Sequence, residues 1–178
     1  MKLRLSIFVF LLSLTSFSQA QNFPESFVGQ WKGDLEIYGV DKVNMKVEMN
    51  LNIKPTKIDS IYTWELIYVL NDSTTDVRQY ELIIIDNSTG QYVIDEQNGI
   101  KIESYFLHHT FTSFFSVMDN FLVFSYTLVE DELIIDVFFS PQTPVSKTSG
   151  VKVNDEEIPI VTTYKVSGRQ RGVLKKYN

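Results

Sequence analysis

The chain contains no cysteine. That absence removes disulfides, thiolate metal sites and thiol nucleophiles at one stroke, so packing alone must hold the fold. A bacterial-type lipid anchor is excluded with them, because it needs a cysteine just after the leader. Histidine is almost as scarce, with two residues side by side at His108 and His109. No run of basic residues is present, and lysine plus arginine (16) fall short of aspartate plus glutamate (22). An acidic surface repels a phosphate backbone, so nucleic acid is not an expected partner. There is no Gly-x-Ser-x-Gly elbow, no glycine-rich phosphate loop and no dinucleotide fingerprint. The usual sequence signs of an enzyme are missing, and a non-catalytic role is the expectation.

Long apolar runs are also lacking, except at the start. There "MKLRLSIFVFLLSLTSFSQA" offers Lys2 and Arg4, an apolar stretch from Leu5 to Leu14, and the ending Ser18-Gln19-Ala20. This is the pattern of a secretory signal peptide, and its apolar core falls short of the roughly 20 residues needed to cross a bilayer. Residues 1–20 are therefore expected to be cleaved near Ala20, with residues 21–178 forming the mature domain, periplasmic or secreted and without a transmembrane segment. Loss of Lys2 and Arg4 takes the formal net charge from −6 to −8. The 158 residues left after removing 20 from 178 suit a single domain with a sizeable core.

What the mature chain does have is alternation. In "NMKVEMNLNIK" Met45, Val47, Met49, Leu51 and Ile53 face one way, and Lys46, Glu48, Asn50 and Asn52 the other. Period two over that length marks a strand with one wet face. "GQWKGDLEIY", "IYTWELIYV", "RQYELIIID", "GQYVID", "GIKIESYFL", "TFTSFFSVM", "FLVFSYTLV", "ELIIDVFFS" and "PIVTTYKVSGRQRGVLKK" follow the same rule, giving nine or ten strands and no three-turn amphipathic helix. The connections are short and rich in Asn, Asp and Gly, as in Asp86–Gly90, Asp95–Gly99 and Asp119-Asn120, which suits antiparallel hairpins. An antiparallel meander of this length must close or stack to protect its edges. The expected fold is all-β, a single up-and-down barrel of 8–10 strands. One connection is too long for a hairpin: residues 140–159, holding Pro141, Pro144 and Pro159, read as a loop unless "GVKV" forms a short strand.

The first strand carries Gly29-x-Trp31-x-Gly33. Placed ahead of an all-β meander, this string resembles the first strand of the lipocalin or calycin superfamily, and also that of fatty-acid-binding-protein and nitrobindin-like barrels. The resemblance implies that Trp31 closes one end of a barrel, with Gly29 allowing close approach and Gly33 a bend. It implies further that a basic residue of the last strand, Arg169 or Arg171, packs across Trp31. Parity pulls the other way, since Tyr164 and Val166 set even positions inward and leave both arginines outside unless Gly168 makes a bulge. The family's turn motif of Thr-Asp-Tyr type is absent.

Aromatic residues crowd the faces assigned to the interior: Tyr62, Trp64, Tyr68, Tyr80, Tyr92, Phe106, Phe111, Phe115, Phe124, Tyr126, Phe139 and Tyr164. Such a barrel is either filled or keeps a cavity. If hollow, Trp64, Tyr68, Tyr80, Phe111, Phe115, Phe124 and Tyr126 would line a site for a small hydrophobic molecule or lipid, with tyrosine hydroxyls meeting its polar end. If filled, the outward Ile61, Ile67, Ile83, Ile85, Ile134 and Phe138 mark a surface for a protein partner of a cell-envelope module. No metal site is expected: neighbours in a strand point to opposite faces, so His108 and His109, in or beside a hairpin, cannot share a metal unless the backbone turns there, and the acidic turns at 95–96, 129–132 and 154–157 lack converging ligands. A haem contact through His108 or His109 is what the nitrobindin-like resemblance would add.

Overall fold

The computed structural model describes residues 22–71 and 73–177; the expected signal peptide, residues 1–20, lies outside them. After a single 3-10 turn at Glu25–Phe27, strands run β1 (Gly29–Tyr38), β2 (Val43–Pro55), β3 (Ile61–Leu70), β4 (Ser73–Asp86), β5 (Gln91–Asp95), β6 (Lys101–Leu107), β7 (Thr110–Val117), β8 (Asn120–Val129) and β9 (Glu132–Pro141). Four short strands follow, β10 (Pro144–Thr148), β11 (Lys152–Val153), β12 (Glu156–Glu157) and β13 (Val161–Tyr164), before β14 (Gly168–Tyr177). Strands β1 to β9 and β14 form a closed antiparallel barrel of 10 strands in up-and-down order, with β14 between β9 and β1.

The alternation of the sequence becomes the two faces of the wall. On β2, Met49, Leu51 and Ile53 are buried inside; across the pairing, Leu51 meets Leu66 and Ile53 meets Trp64. Directly opposed residues share a face, so register alone carries the inner surface around the ring. Two expectations about the chain's last third need correction. Residues 140–159 are not one loop: β10 pairs with β13 and β11 with β12, making a hairpin extension in which the suspected "GVKV" strand is reduced to Lys152–Val153. The final run "PIVTTYKVSGRQRGVLKK" is not one strand either, because Lys165–Ser167 break it into β13 and β14. Tyr164 therefore does not face the interior. It is 42% exposed, and its ring meets Phe121 edge-on at 5.5 Å, beside the extension.

The two ends of the barrel differ. At one end the segment before β1 folds in as a plug: Phe23 and Phe27 are 4% and 0% exposed. The Phe23 ring stacks on Phe106 at 4.6 Å and Phe111 at 4.9 Å, and meets Tyr92 and Phe27 edge-on. Tyrosine hydroxyls meet the plug: that of Tyr62 donates to Glu25 at 2.8 Å, and that of Tyr92, which donates to Asn87 of the β4–β5 turn at 2.7 Å, also lies 3.4 Å from the Phe23 carbonyl oxygen. Burial, then the bond to Glu25, pushes the Tyr62 phenol up to about 12, so it stays a donor.

Trp31 is part of this closure, and its indole N–H donates to the Phe27 carbonyl at 2.8 Å. The glycines around it are explained by what comes close. A Cβ on Gly33 would stand 2.2 Å from the Val173 carbonyl oxygen, so β14 can lie against β1 there only over a bare backbone. Gly29 has φ +145°, and the Lys176 stem passes where its Cβ would be. That lysine, not Arg169 or Arg171, is the basic residue over the tryptophan: Lys176 opposes Trp31 across the β1–β14 pairing and sets its ammonium 5.1 Å from the ring centre. Arg169 and Arg171 have the opposite parity and no bulge intervenes. Both point outward, where they donate to Asp136 at 2.7 Å each, and Arg169 lies over the Tyr38 and Phe138 rings.

Candidate functional site

The opposite end is looser, and the reason lies in strand lengths. β4 runs from Ser73, whereas its pairing with β5 begins only at Glu81–Asp95. The first half of β4 thus has a strand partner on the β3 side alone. β6 in turn pairs with β7 only from Tyr105 to Leu107, so the wall also parts between Lys101–Ser104 and Ser113–Val117. The β5–β6 hairpin is thus held to β4 along one flank, parts from β7 along the upper half of the other, and turns back before it reaches the first half of β4. One side-chain link crosses the gap to β7, from the buried Ser104 hydroxyl to that of Ser113 at 2.7 Å.

Beneath this hairpin lies an internal cavity of about 80 Å³. Trp64, Tyr68, Tyr80, Phe111, Phe115, Phe124 and Tyr126, the residues expected to line an interior site, all border it. They come from β3, β4, β7 and β8, and they meet because each carries the inward parity of its strand. Trp64 and Phe111 are nearly fully buried and form the inner end, where Tyr126 meets Trp64 edge-on at 5.2 Å. Phe115 and Phe124 stack at 5.8 Å and are half-buried. Gly29, Trp31 and Gly33 belong to the plugged end and take no part in the cavity.

Sequence reading missed the polar members. Arg78 opposes Leu66, and Asp76 opposes Tyr68, so both are carried on the inner face of β4. Arg78 donates to Asp76 at 2.7 Å and its guanidinium sits 5.2 Å from the Tyr68 ring centre. Glu96 and Ser113 complete the polar lining. The signal was available, since Arg78 shares parity with Tyr80 and Leu82, but a charged residue on a core face reads as the strand's frayed end. Burial raises the Tyr126 phenol well above its ordinary range, and also raises Tyr68 and Tyr80 against the opposing pull of Arg78. Near neutral pH these phenols are uncharged hydroxyls beside one guanidinium. The pocket is an apolar box whose rim holds the Arg78–Asp76 ion pair and Glu96.

His108 and His109 lie in the β6–β7 turn at the plugged end, with their ring centres 3.8 Å apart, and neither borders the cavity. Among the described residues no group of three or more histidine, cysteine or acidic side chains is placed to hold a metal. No described helix is long and apolar enough to cross a membrane. No protein-family model matches the chain, and no curated protein matches it.

Proposed function

We propose that this protein is an exported, calycin-like barrel that binds a small molecule in the cavity under the β5–β6 hairpin without transforming it. The observation that carries the reading is convergence: aromatic side chains from four strands border one space whose rim holds Arg78. The space of about 80 Å³ limits the ligand. It is smaller than the roughly 150 Å³ apolar cavity that takes up benzene, and far below the roughly 300–1,000 Å³ typical of drug-sized ligands. A single planar ring bearing a hydrogen-bonding group is the largest ligand this suits, and it would enter only as the wall opens where β6 parts from β7. A long acyl chain requires the hairpin to swing wide. Affinity would come from apolar burial at about 25 cal/mol per Å², with Arg78 and the tyrosine hydroxyls setting orientation.

The test is titration of the mature chain with benzoate, indole and palmitate, followed by tryptophan fluorescence and native mass spectrometry. One-to-one binding of a ring compound that is lost in Phe115→Trp, which fills the space, supports the reading. No saturable binding by any of them overturns it.

A second reading, a filled barrel that serves as a cell-envelope interaction module, is favoured by one outer feature. Phe114, Val123 and Phe138 lie in a single cross-strand row over β7, β8 and β9, exposed by 66%, 36% and 40%. Of the other outward residues expected to mark such a surface, Ile85 is exposed, while Ile61, Ile67, Ile83 and Ile134 are half-buried. Self-association or partner binding that Phe114→Ser abolishes would move the function to this wall.

A further inference from the structure

A larger concavity lies outside the barrel, over the β2–β4 wall, where nothing in the small-ligand reading requires one. Its volume is about 610 Å³, and it is lined by polar and charged side chains together with the Tyr80 ring. The lining follows from register. Asn52 opposes Glu65, and Glu65 opposes Gln79, so an amide, a carboxylate and an amide stand in line across three strands. Gln97, from the β5–β6 turn, extends the line and donates to Glu81 at 3.0 Å. Three strand spacings give the row a length of roughly 14 Å.

Asn52 is the anomaly. It belongs to the wet face of β2, yet it is only 8% exposed, making it the most buried residue of the lining. Its amide nitrogen donates to Glu65 at 2.7 Å, while its carbonyl oxygen has no hydrogen-bond partner. A buried acceptor without a donor is unfavourable, and native proteins rarely keep one without cause. Here it borders a groove of a size that encloses small ligands.

We infer that this outer groove is a binding site for a neutral, hydroxyl-rich ligand, a short carbohydrate segment. The groove itself selects against the other classes. Glu65 and Glu81 outnumber Lys54, which disfavours anions. No metal-holding group occurs among the described residues, which disfavours a metal ion. Every lining side chain carries a polar group, which suits a ligand that makes hydrogen bonds. Carboxylate oxygens accept from sugar hydroxyls, side-chain amides both donate and accept, and a ligand hydroxyl that displaces the side chains covering Asn52 would supply the donor that its oxygen lacks. This site stands apart from the interior cavity, and either can fail without the other; Tyr80 alone borders both.

The experiment is NMR titration of the mature chain with maltotetraose and chitotetraose at millimolar concentration, reading the side-chain amide signals of Asn52, Gln79 and Gln97. Saturable shifts of these signals with either saccharide are expected, weakened at least tenfold in Gln79→Ala and Gln97→Ala. Both replaced residues are exposed, so these variants keep the fold. The absence of saturable shifts, or shifts of equal affinity in both variants, would overturn the inference. So would groove shifts produced by a neutral peptide and by neither saccharide.

Discussion

The two ends of this barrel are built from the same kind of residue and reach opposite outcomes. At the plugged end Phe23, Phe27 and Phe106 pack ring on ring, with Phe111 between them and the cavity, because a segment outside the barrel strands fills the opening. At the other end Phe115, Phe124, Tyr68 and Tyr80 surround a cavity, because β6 parts from β7 above Tyr105 and the hairpin turns back before it covers the first half of β4. Aromatic content is therefore no guide to whether a barrel interior is hollow. What decides it is whether backbone is available to close the gap.

The sharpest way to break that comparison is to truncate a ring at each end. Phe27→Ala should cost about 3–5 kcal/mol, since Phe27 is fully buried and the plug cannot refill its place. Phe115→Ala, at a half-exposed position beside an existing space, should cost about 1 kcal/mol. Urea unfolding of both variants measures the difference; equal costs would mean that the ends are equally packed. A smaller effect comes from adding atoms. Gly33→Ala drives a methyl into the Val173 carbonyl and should cost about 1–3 kcal/mol. Gly168→Ala, whose nearest neighbour would be a Phe139 ring carbon at 3.5 Å, should stay within about 0.5 kcal/mol. The smallest concerns the seal over Trp31. Lys176→Met keeps the stem but removes the charge over the indole, and thermal unfolding should register a loss of about 0.5–1 kcal/mol, with a change in tryptophan emission.

Parity made much of this readable beforehand. The inner residues of β2, β3, β7 and β8 follow from alternation alone, and the aromatic lining of the cavity follows with them. Three features stayed hidden for physical reasons. Phe23 precedes the first strand, so no period marks it as core. Which basic residue covers Trp31 depends on the β1–β14 register, and Lys176 could be told from Arg169 only once Trp31 was known to face it. The burial of Asn52 on a wet face goes with its cross-strand bond to Glu65, and that pairing has no counterpart in a one-dimensional pattern. The cavity was likewise beyond reach, since it depends on where pairing stops and not on which residues are apolar.

The ring closes between β1 and β14, pairing Gln30 with Tyr177. A ribosome making this chain has therefore released β1 long before its closing partner exists. Until β14 arrives, β1 and β9 each present an unpaired edge, and such edges recruit other chains as readily as their own. Closure also spans nearly the whole described sequence, and contacts of that range form slowly. The time between synthesis and closure is thus the most dangerous interval in this protein's life, and any factor that shields β1 during it would govern yield more than the stability of the finished barrel.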